Sequence, residues 1–143
     1  MSNRLLKQRP EVAGCYGHLK GVLAEHLSLW LIEHAWLEVE RVGERPLSVH
    51  LTPLGWSGLQ RWGVDVARLE KSQRIPVTLC SERHRGREHE HIGAHLGTLL
   101  REWLEQQELI EPHEGGMRLT EKGRQGLIDA GVLSSEAPMT QES

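Results

Sequence analysis

The sequence has 143 residues and a net charge of −3, and 38% of its residues are hydrophobic and 26% charged. This composition is that of one domain or two small joined ones, and the negative charge argues against a protein that coats nucleic acid. The N-terminal residues lack the pattern of a signal peptide, and no apolar run approaches the roughly 20 residues that span a bilayer. Two cysteines are too few for a secreted disulfide framework, so we expect a cytoplasmic protein without a membrane partner.

The first predicted elements are a long helix, a hairpin and a short helix. Apolar side chains recur at three- and four-residue steps from Leu19 to Leu31, which is typical of an amphipathic helix. A turn-rich stretch at residues 43–46 separates two short apolar segments and so predicts a β-hairpin. Thr52 stands at the N-cap position of the following short helix, which we expect to end at Gly63.

The same order of elements recurs later in the chain. Residues 18–38 align with residues 91–111 at a constant offset of 73, and residues 51–64 align with residues 119–132 at an offset of 68. A duplication of this kind indicates a repeated structural unit. Since helix, hairpin and capped helix form the back half of a winged-helix domain, we predict an α+β, mostly helical fold. In it, two tandem winged-helix-like units share one core.

These patterns divide the chain into five segments. They are a basic N-terminal segment (1–13), a first winged-helix-like repeat (14–65), a basic connection (66–90), a second winged-helix-like repeat (91–133) and a polar tail (134–143). The tail has no hydrophobic periodicity and is expected to be disordered. Trp30 and Trp103 occupy matching places in the two long helices and are the predicted core anchors.

Cysteine and histidine residues near the start of each repeat form the main candidate ligand set. Cys15 and His18 open the first repeat, whereas Cys80 lies in the basic connection, upstream of His91 at the start of the second repeat. Thiolate and imidazole suit tetrahedral zinc, so the set predicts a zinc site if the two repeats bring the four residues together. Alternatively, the histidines buttress the helix starts and the cysteines are buried as small hydrophobic residues, or the cysteines form a disulfide that reports oxidation.

The basic residues of the connection are the candidate nucleic-acid contacts. Arg83, Arg85 and Arg87 could lie along a phosphate backbone, although a solvated loop explains them slightly better. The polar faces of the long helices carry glutamates where a recognition helix presents Arg, Lys, Asn or Gln. We therefore expect any DNA binding to be weak and electrostatic.

Much of the chain, residues 14–133, resembles a known group of proteins. Residues 15–21 (CYGHLKG) are similar to the Cys-Tyr-Asp-His-Leu-Ala-Gly segment in the C-terminal half of certain ArsR-family transcriptional regulators. A second block of those proteins resembles Cys80, residues 81–83 (SER) and residues 91–97 (HIGAHLG), and both Leu-Thr-x-x-Gly elements also match. Because only about a dozen residues precede Cys15, we do not expect a counterpart of the family's N-terminal DNA-binding domain. The second block has two extra residues and lacks the usual Trp.

The resemblance implies a regulatory protein that acts as a sensor or dimerisation module, with a second copy or a separate winged-helix protein as its partner. Two alternatives remain open, a compact winged-helix DNA-binding protein and a protein–protein adaptor without a nucleic-acid role. The sequence contains no nucleophile elbow, phosphate-binding loop or dinucleotide fingerprint, so we do not expect an enzyme.

Overall fold

The computed structural model of the protein describes residues 13–15, 18–70, 76–84, 86–114 and 116–134, with backbone alone at residues 13–15, 18–20, 82 and 84. The predicted α+β class is confirmed, and helices and strands contribute comparable shares of the described residues. Each described strand pairs antiparallel with its neighbour in a two-stranded hairpin. Within these ranges no helix has the length and apolar composition needed to cross a membrane.

The first half of the chain (residues 13–70) contains two hairpins and three helices. In chain order they are β1 (Ala13–Cys15), β2 (His18–Lys20), α1 (Val22–Glu33), β3 (Leu37–Val42), β4 (Arg45–Leu51), α2 (Pro53–Trp62) and α3 (Ala67–Glu70). Helix α1 presents a continuous buried stripe that includes Leu23, Leu27 and Leu31, as the three- and four-residue spacing predicted.

The second half (residues 76–134) contains two hairpins and two helices. In chain order they are β5 (Thr78–His84), β6 (Arg87–Gly93), α4 (Ala94–Gln106), β7 (Ile110–His113), β8 (Gly116–Leu119) and α5 (Glu121–Asp129). The described residues between 78 and 90, which the sequence analysis assigned to the basic connection, thus belong to the β5–β6 hairpin, and this hairpin leads into α4. Its turn is made at Gly86, whose φ of +76° is costly for residues with a side chain.

The short helices α2 and α5 begin in the same way. The hydroxyl groups of Thr52 and Thr120 accept hydrogen bonds from the backbone N–H groups of Gly55 and Gly123, at 2.9 and 2.8 Å. Each hydroxyl also donates to a carbonyl in the loop after the preceding long helix, at 2.7 Å in both halves. Both predicted N-caps are therefore confirmed, and each also ties its short helix to the preceding loop.

In each half, the long helix packs against a strand of the other half. Helix α1 of the first half lies against β6 of the second, and helix α4 of the second half lies against β2 of the first. One hydrophobic cluster contains leucines of both halves whose side chains are fully buried, namely Leu23, Leu31, Leu59, Leu96 and Leu104. Because each half completes the core of the other, we expect neither half to fold alone.

The tryptophans lie where the halves meet. Trp103 is buried, as predicted, and its indole N–H donates to the carbonyl of Trp62 at 2.8 Å. Trp30 is only partly buried, so it is a weaker anchor than its matching position suggested. Gly63 and Gly131 follow the short helices with φ of +98° and +85°. Each approaches a tryptophan of the other half. A Cβ at Gly63 would lie 3.6 Å from Nε1 of Trp103, and a Cβ at Gly131 would lie 3.7 Å from Nε1 of Trp30.

Candidate functional site

The two halves differ most in the lengths of their hairpins. The β3–β4 hairpin has strands of 6 and 7 residues, whereas its counterpart β7–β8 has strands of 4 residues each. Conversely, β5 and β6 have 7 residues each, whereas β1 and β2 have 3. Each half therefore has one long hairpin, but the long hairpins stand at different places in the repeated element order.

The two long hairpins lie next to each other and enclose an open groove of about 1350 Å³. Strand β4 lies against β5, and the guanidinium of Arg41 on β3 makes two hydrogen bonds, of 3.1 and 2.8 Å, to the carboxylate of Glu90 on β6. The lining comprises residues 41–47, several residues between Ser81 and Glu90, and Glu25 and Leu29 of α1. We call this site the hairpin groove.

Among the described residues that line the hairpin groove, charges of both signs occur in equal number. Four arginines face four glutamates: Arg41, Arg45, Arg83 and Arg87 against Glu25, Glu44, Glu88 and Glu90. Arg83 and Glu88 form a second ion pair at 3.1 Å, and a carboxylate oxygen of Glu25 lies 2.9 Å from Nδ1 of His89. The hydrogen bond to Glu90, and then its negative charge, raise the pKa of Arg41, so that guanidinium stays charged. The groove is therefore electrically balanced.

Three large apolar side chains are exposed in the hairpin groove. Leu29 is 48% exposed, Val42 is 64% exposed and Leu47 is 69% exposed. Among the described residues, Leu54 on α2 is the one other large apolar side chain with comparable exposure, at 53%. Exposed apolar residues that gather at one place, with charged residues around them, are typical of interaction sites.

Two of the three arginines proposed as nucleic-acid contacts belong to this groove. Arg83 and Arg87 line it, and Arg85 lies outside the described residues. The register of the hairpin places Arg83 directly opposite Glu88, with which it forms its ion pair. The carboxylate of Glu88 offsets part of the positive charge that a phosphate would meet at Arg83.

The cysteine and histidine candidates occupy matching positions in the first hairpin of each half, β1–β2 and β5–β6. Cys15 pairs with His18 between β1 and β2, and Cys80 pairs with His91 between β5 and β6. His91 is 1% exposed and Cys80 is half-buried, whereas the side chains of Cys15 and His18 lie outside the described part of the structure. Cα atoms of β2 come within 8 Å of Cα atoms of β6, so the two pairs stand on neighbouring strands.

No metal centre forms within the part of the chain whose side chains are described, because no three of its His, Cys, Asp or Glu residues come together. A zinc site at these hairpins would therefore need Cys15 and His18. The four-residue ligand set and the disulfide alternative both stay predictions.

Sequence reasoning missed the hairpin groove, although two spacing signals pointed to it. The offset between the halves drops from 73 to 68 across the β3–β4 hairpin, so this hairpin has five extra residues. Two residues separate Cys15 from His18, whereas ten separate Cys80 from His91. A loop could absorb the first difference, but in both cases the extra residues lengthen paired strands on two hairpins that meet.

A scan against protein-family models and searches of curated proteins and of solved structures found no match to this chain. The function therefore has to be argued from the fold and from the hairpin groove.

Proposed function

We propose that this chain is a protein-binding module of a transcriptional regulator, a sensor or dimerisation module that works in the cytoplasm and has no catalytic activity. In this proposal its two halves are winged-helix-like units that share one core. Two features support the assignment of two units. Both halves contain a hairpin, a long helix, a second hairpin and a short helix in the same order, and a threonine caps each short helix. The likeness of residues 14–133 to the C-terminal half of ArsR-family regulators supplies the regulatory context.

The observation that carries this proposal is the chemistry of the hairpin groove. Protein interfaces combine an apolar centre with a polar rim and are enriched in arginine. The groove has this composition, because Leu29, Val42 and Leu47 are exposed between arginine–glutamate pairs. The groove also occurs where the two long hairpins meet, which is the main departure from the repeated geometry.

The same structure gives little support to DNA recognition, which is the first alternative. The long helices stand where a winged-helix protein has its recognition helix, but here their apolar faces are buried in the core. Helix α1 ends on Glu33 and α4 carries Glu105 among its exposed residues, and acidic side chains repel phosphates. A compact DNA-binding protein would have to use the hairpins, whose arginines are already paired with glutamates in two cases.

A DNA titration tests the proposal. We expect any binding to be non-specific, with a Kd weaker than about 1 µM and a steep salt dependence, measured by fluorescence anisotropy. Replacing Arg83, Arg85 and Arg87 with Ala should flatten that dependence. The matched control replaces Arg61, Arg68 and Arg118, which removes equal charge outside the groove. Nanomolar, sequence-specific binding that survives the first triple change would refute the proposal in favour of a DNA-binding protein.

Zinc sensing is a second candidate function, supported by the Cys–His register. Directly opposed residues of an antiparallel pair have Cβ atoms about 4.5–5.5 Å apart, so one thiolate and one imidazole in each hairpin could share a metal. We expect elemental analysis of the purified protein to find zinc, and Cys80→Ser to remove it. His50→Ala, at an exposed position on β4, is the control. Protein that neither contains zinc nor binds added zinc would end this hypothesis.

The adaptor alternative assigns the groove to a different protein. A separate winged-helix protein that binds this chain in a stable complex, while the chain itself remains monomeric, would favour it. The proposed module and the adaptor both bind protein. The oligomeric state of the pure chain therefore distinguishes them.

A further inference from the structure

We infer that the hairpin groove is a self-association site, in which a second copy of this chain docks its own hairpin groove about a twofold axis. This inference rests on the proposed function, because it names the partner of the protein-binding module. It is carried by three properties of the groove: its charge balance, the position of its apolar residues and its shape.

The charge balance selects against strongly charged partners. With four arginines and four glutamates among its described lining residues, this lining gives a polyanion or a polycation as much repulsion as attraction. A twofold contact places the same patch on both partners, so it tolerates only a patch that is complementary to itself. A neutral patch with both signs interspersed meets this condition, whereas a patch of one sign repels its own copy.

The apolar residues stand on both the protruding and the recessed parts of the patch. Val42 and Leu47 flank the turn at the tip of the β3–β4 hairpin, whereas Leu29 belongs to helix α1, against which the hairpins stand. In a twofold dimer the tip of one copy can therefore enter the groove of the other, and the reverse. Both copies then bury apolar area that is left exposed in the monomer, which favours association.

Polar contacts tie together the elements that enclose the groove. Arg41 and Glu90 join the two long hairpins across 49 residues of chain, and Glu25 and His89 join α1 to β6. A surface held in place in this way loses little conformational freedom on binding, so more of the interaction energy is kept as affinity. The charged pairs at its rim would also fix the orientation in which the second copy docks.

The test measures the oligomeric state of the full chain by sedimentation velocity over a range of concentrations. We expect a monomer–dimer equilibrium that Leu47→Glu weakens by about tenfold or more, because the change puts an unpaired carboxylate into both halves of a twofold contact. Leu54→Glu is the matched control, since Leu54 is similarly exposed outside the groove and should leave the equilibrium unchanged. Circular dichroism checks that each variant is folded.

Three results would overturn the inference. A chain that is monomeric at all concentrations has no self-association site. A dimer that resists Leu47→Glu, and also resists Val42→Glu, uses another face. A dimer that Leu54→Glu weakens equally responds to added charge in general and not to the groove. In each case the proposed protein-binding function fails only if the DNA titration also finds tight, specific binding.

Discussion

The first and second halves of this protein share their framework and differ in the hairpins that project from it. Ala35 and Glu108 lie just after the long helices with the same φ of +61°, and the hydroxyl of the following threonine cap donates to the carbonyl of each. The hairpins are of unequal length, and both long ones line the groove. Shared features are therefore those that the interior fixes, and divergent features face the solvent.

Close backbone contacts restrict which residues fit at two glycines of the shared framework. A Cβ built at Gly55 would overlap the carbonyl oxygen of Trp36, and one at Gly123 would overlap the carbonyl oxygen of Leu109. In both halves the short helix thus touches the loop backbone directly, and no side chain fits between them. The tips of the long hairpins have no such neighbours, and a Cβ at Gly43 would meet nothing within 4 Å.

The largest expected effect is on stability, and it should differ between the two tryptophans that occupy matching positions. Trp103→Ala should lower the free energy of unfolding by about 3–5 kcal/mol, because it removes a buried ring and the hydrogen bond to the Trp62 carbonyl. Trp30→Ala should cost less, because Trp30 is only partly buried and stacks on His34 near the surface. Urea unfolding followed by circular dichroism measures both variants. Equal losses would show that the two halves depend on their tryptophans alike, against the difference in burial.

The next-largest effect concerns the close backbone contact that each half makes at its short helix. Gly55→Ala and Gly123→Ala should each cost about 2–3 kcal/mol, because the new methyl group meets a backbone oxygen that cannot rotate away. Gly116→Ala is the control, since the nearest neighbour of its new methyl group would be the His113 carbonyl oxygen, at 3.7 Å. Thermal unfolding of the three variants checks this. A half that tolerates its alanine would break the correspondence between the two close contacts.

The framework could be predicted from the sequence because its signals are local. The apolar spacing of the long helices and the threonines at 52 and 120 each describe a few consecutive residues. The β5–β6 hairpin was missed because its outer part is charged, without the apolar alternation that marks a strand, and is paired across the hairpin by groups such as Arg83 and Glu88.

The hairpin groove could not be predicted because it depends on contacts between distant segments. Arg41 and Glu90 carry no shared local pattern, and they meet only because α1 packs against β6 of the other half. The repeat predicted equivalent positions within each half, but it did not predict how the halves pack. The same limit applies to Cys15 and Cys80, whose relation depends on two different hairpins.

The smallest expected effect differs in sign between the halves. Gly58 and Gly126 occupy equivalent positions within α2 and α5 at the offset of 68. A Cβ at Gly58 would overlap the indole ring of Trp36, whereas the nearest neighbour of a Cβ at Gly126 would be Cδ2 of Leu109, at 4.0 Å. Gly126→Ala should therefore stabilise the protein by about 0.5–1 kcal/mol through helix propensity, and Gly58→Ala should destabilise it.

A double-mutant cycle identifies the cause of this reversal. Trp36→Leu gives the first half the side chain that the second half has at this place, although it costs stability because Trp36 is buried. If the indole ring is the obstacle, Gly58→Ala should be tolerated in the Trp36→Leu background, and the two changes should couple strongly. If Gly58→Ala remains equally destabilising there, the obstacle lies in the backbone of the first half. The two halves would then differ in their framework as well as in their hairpins.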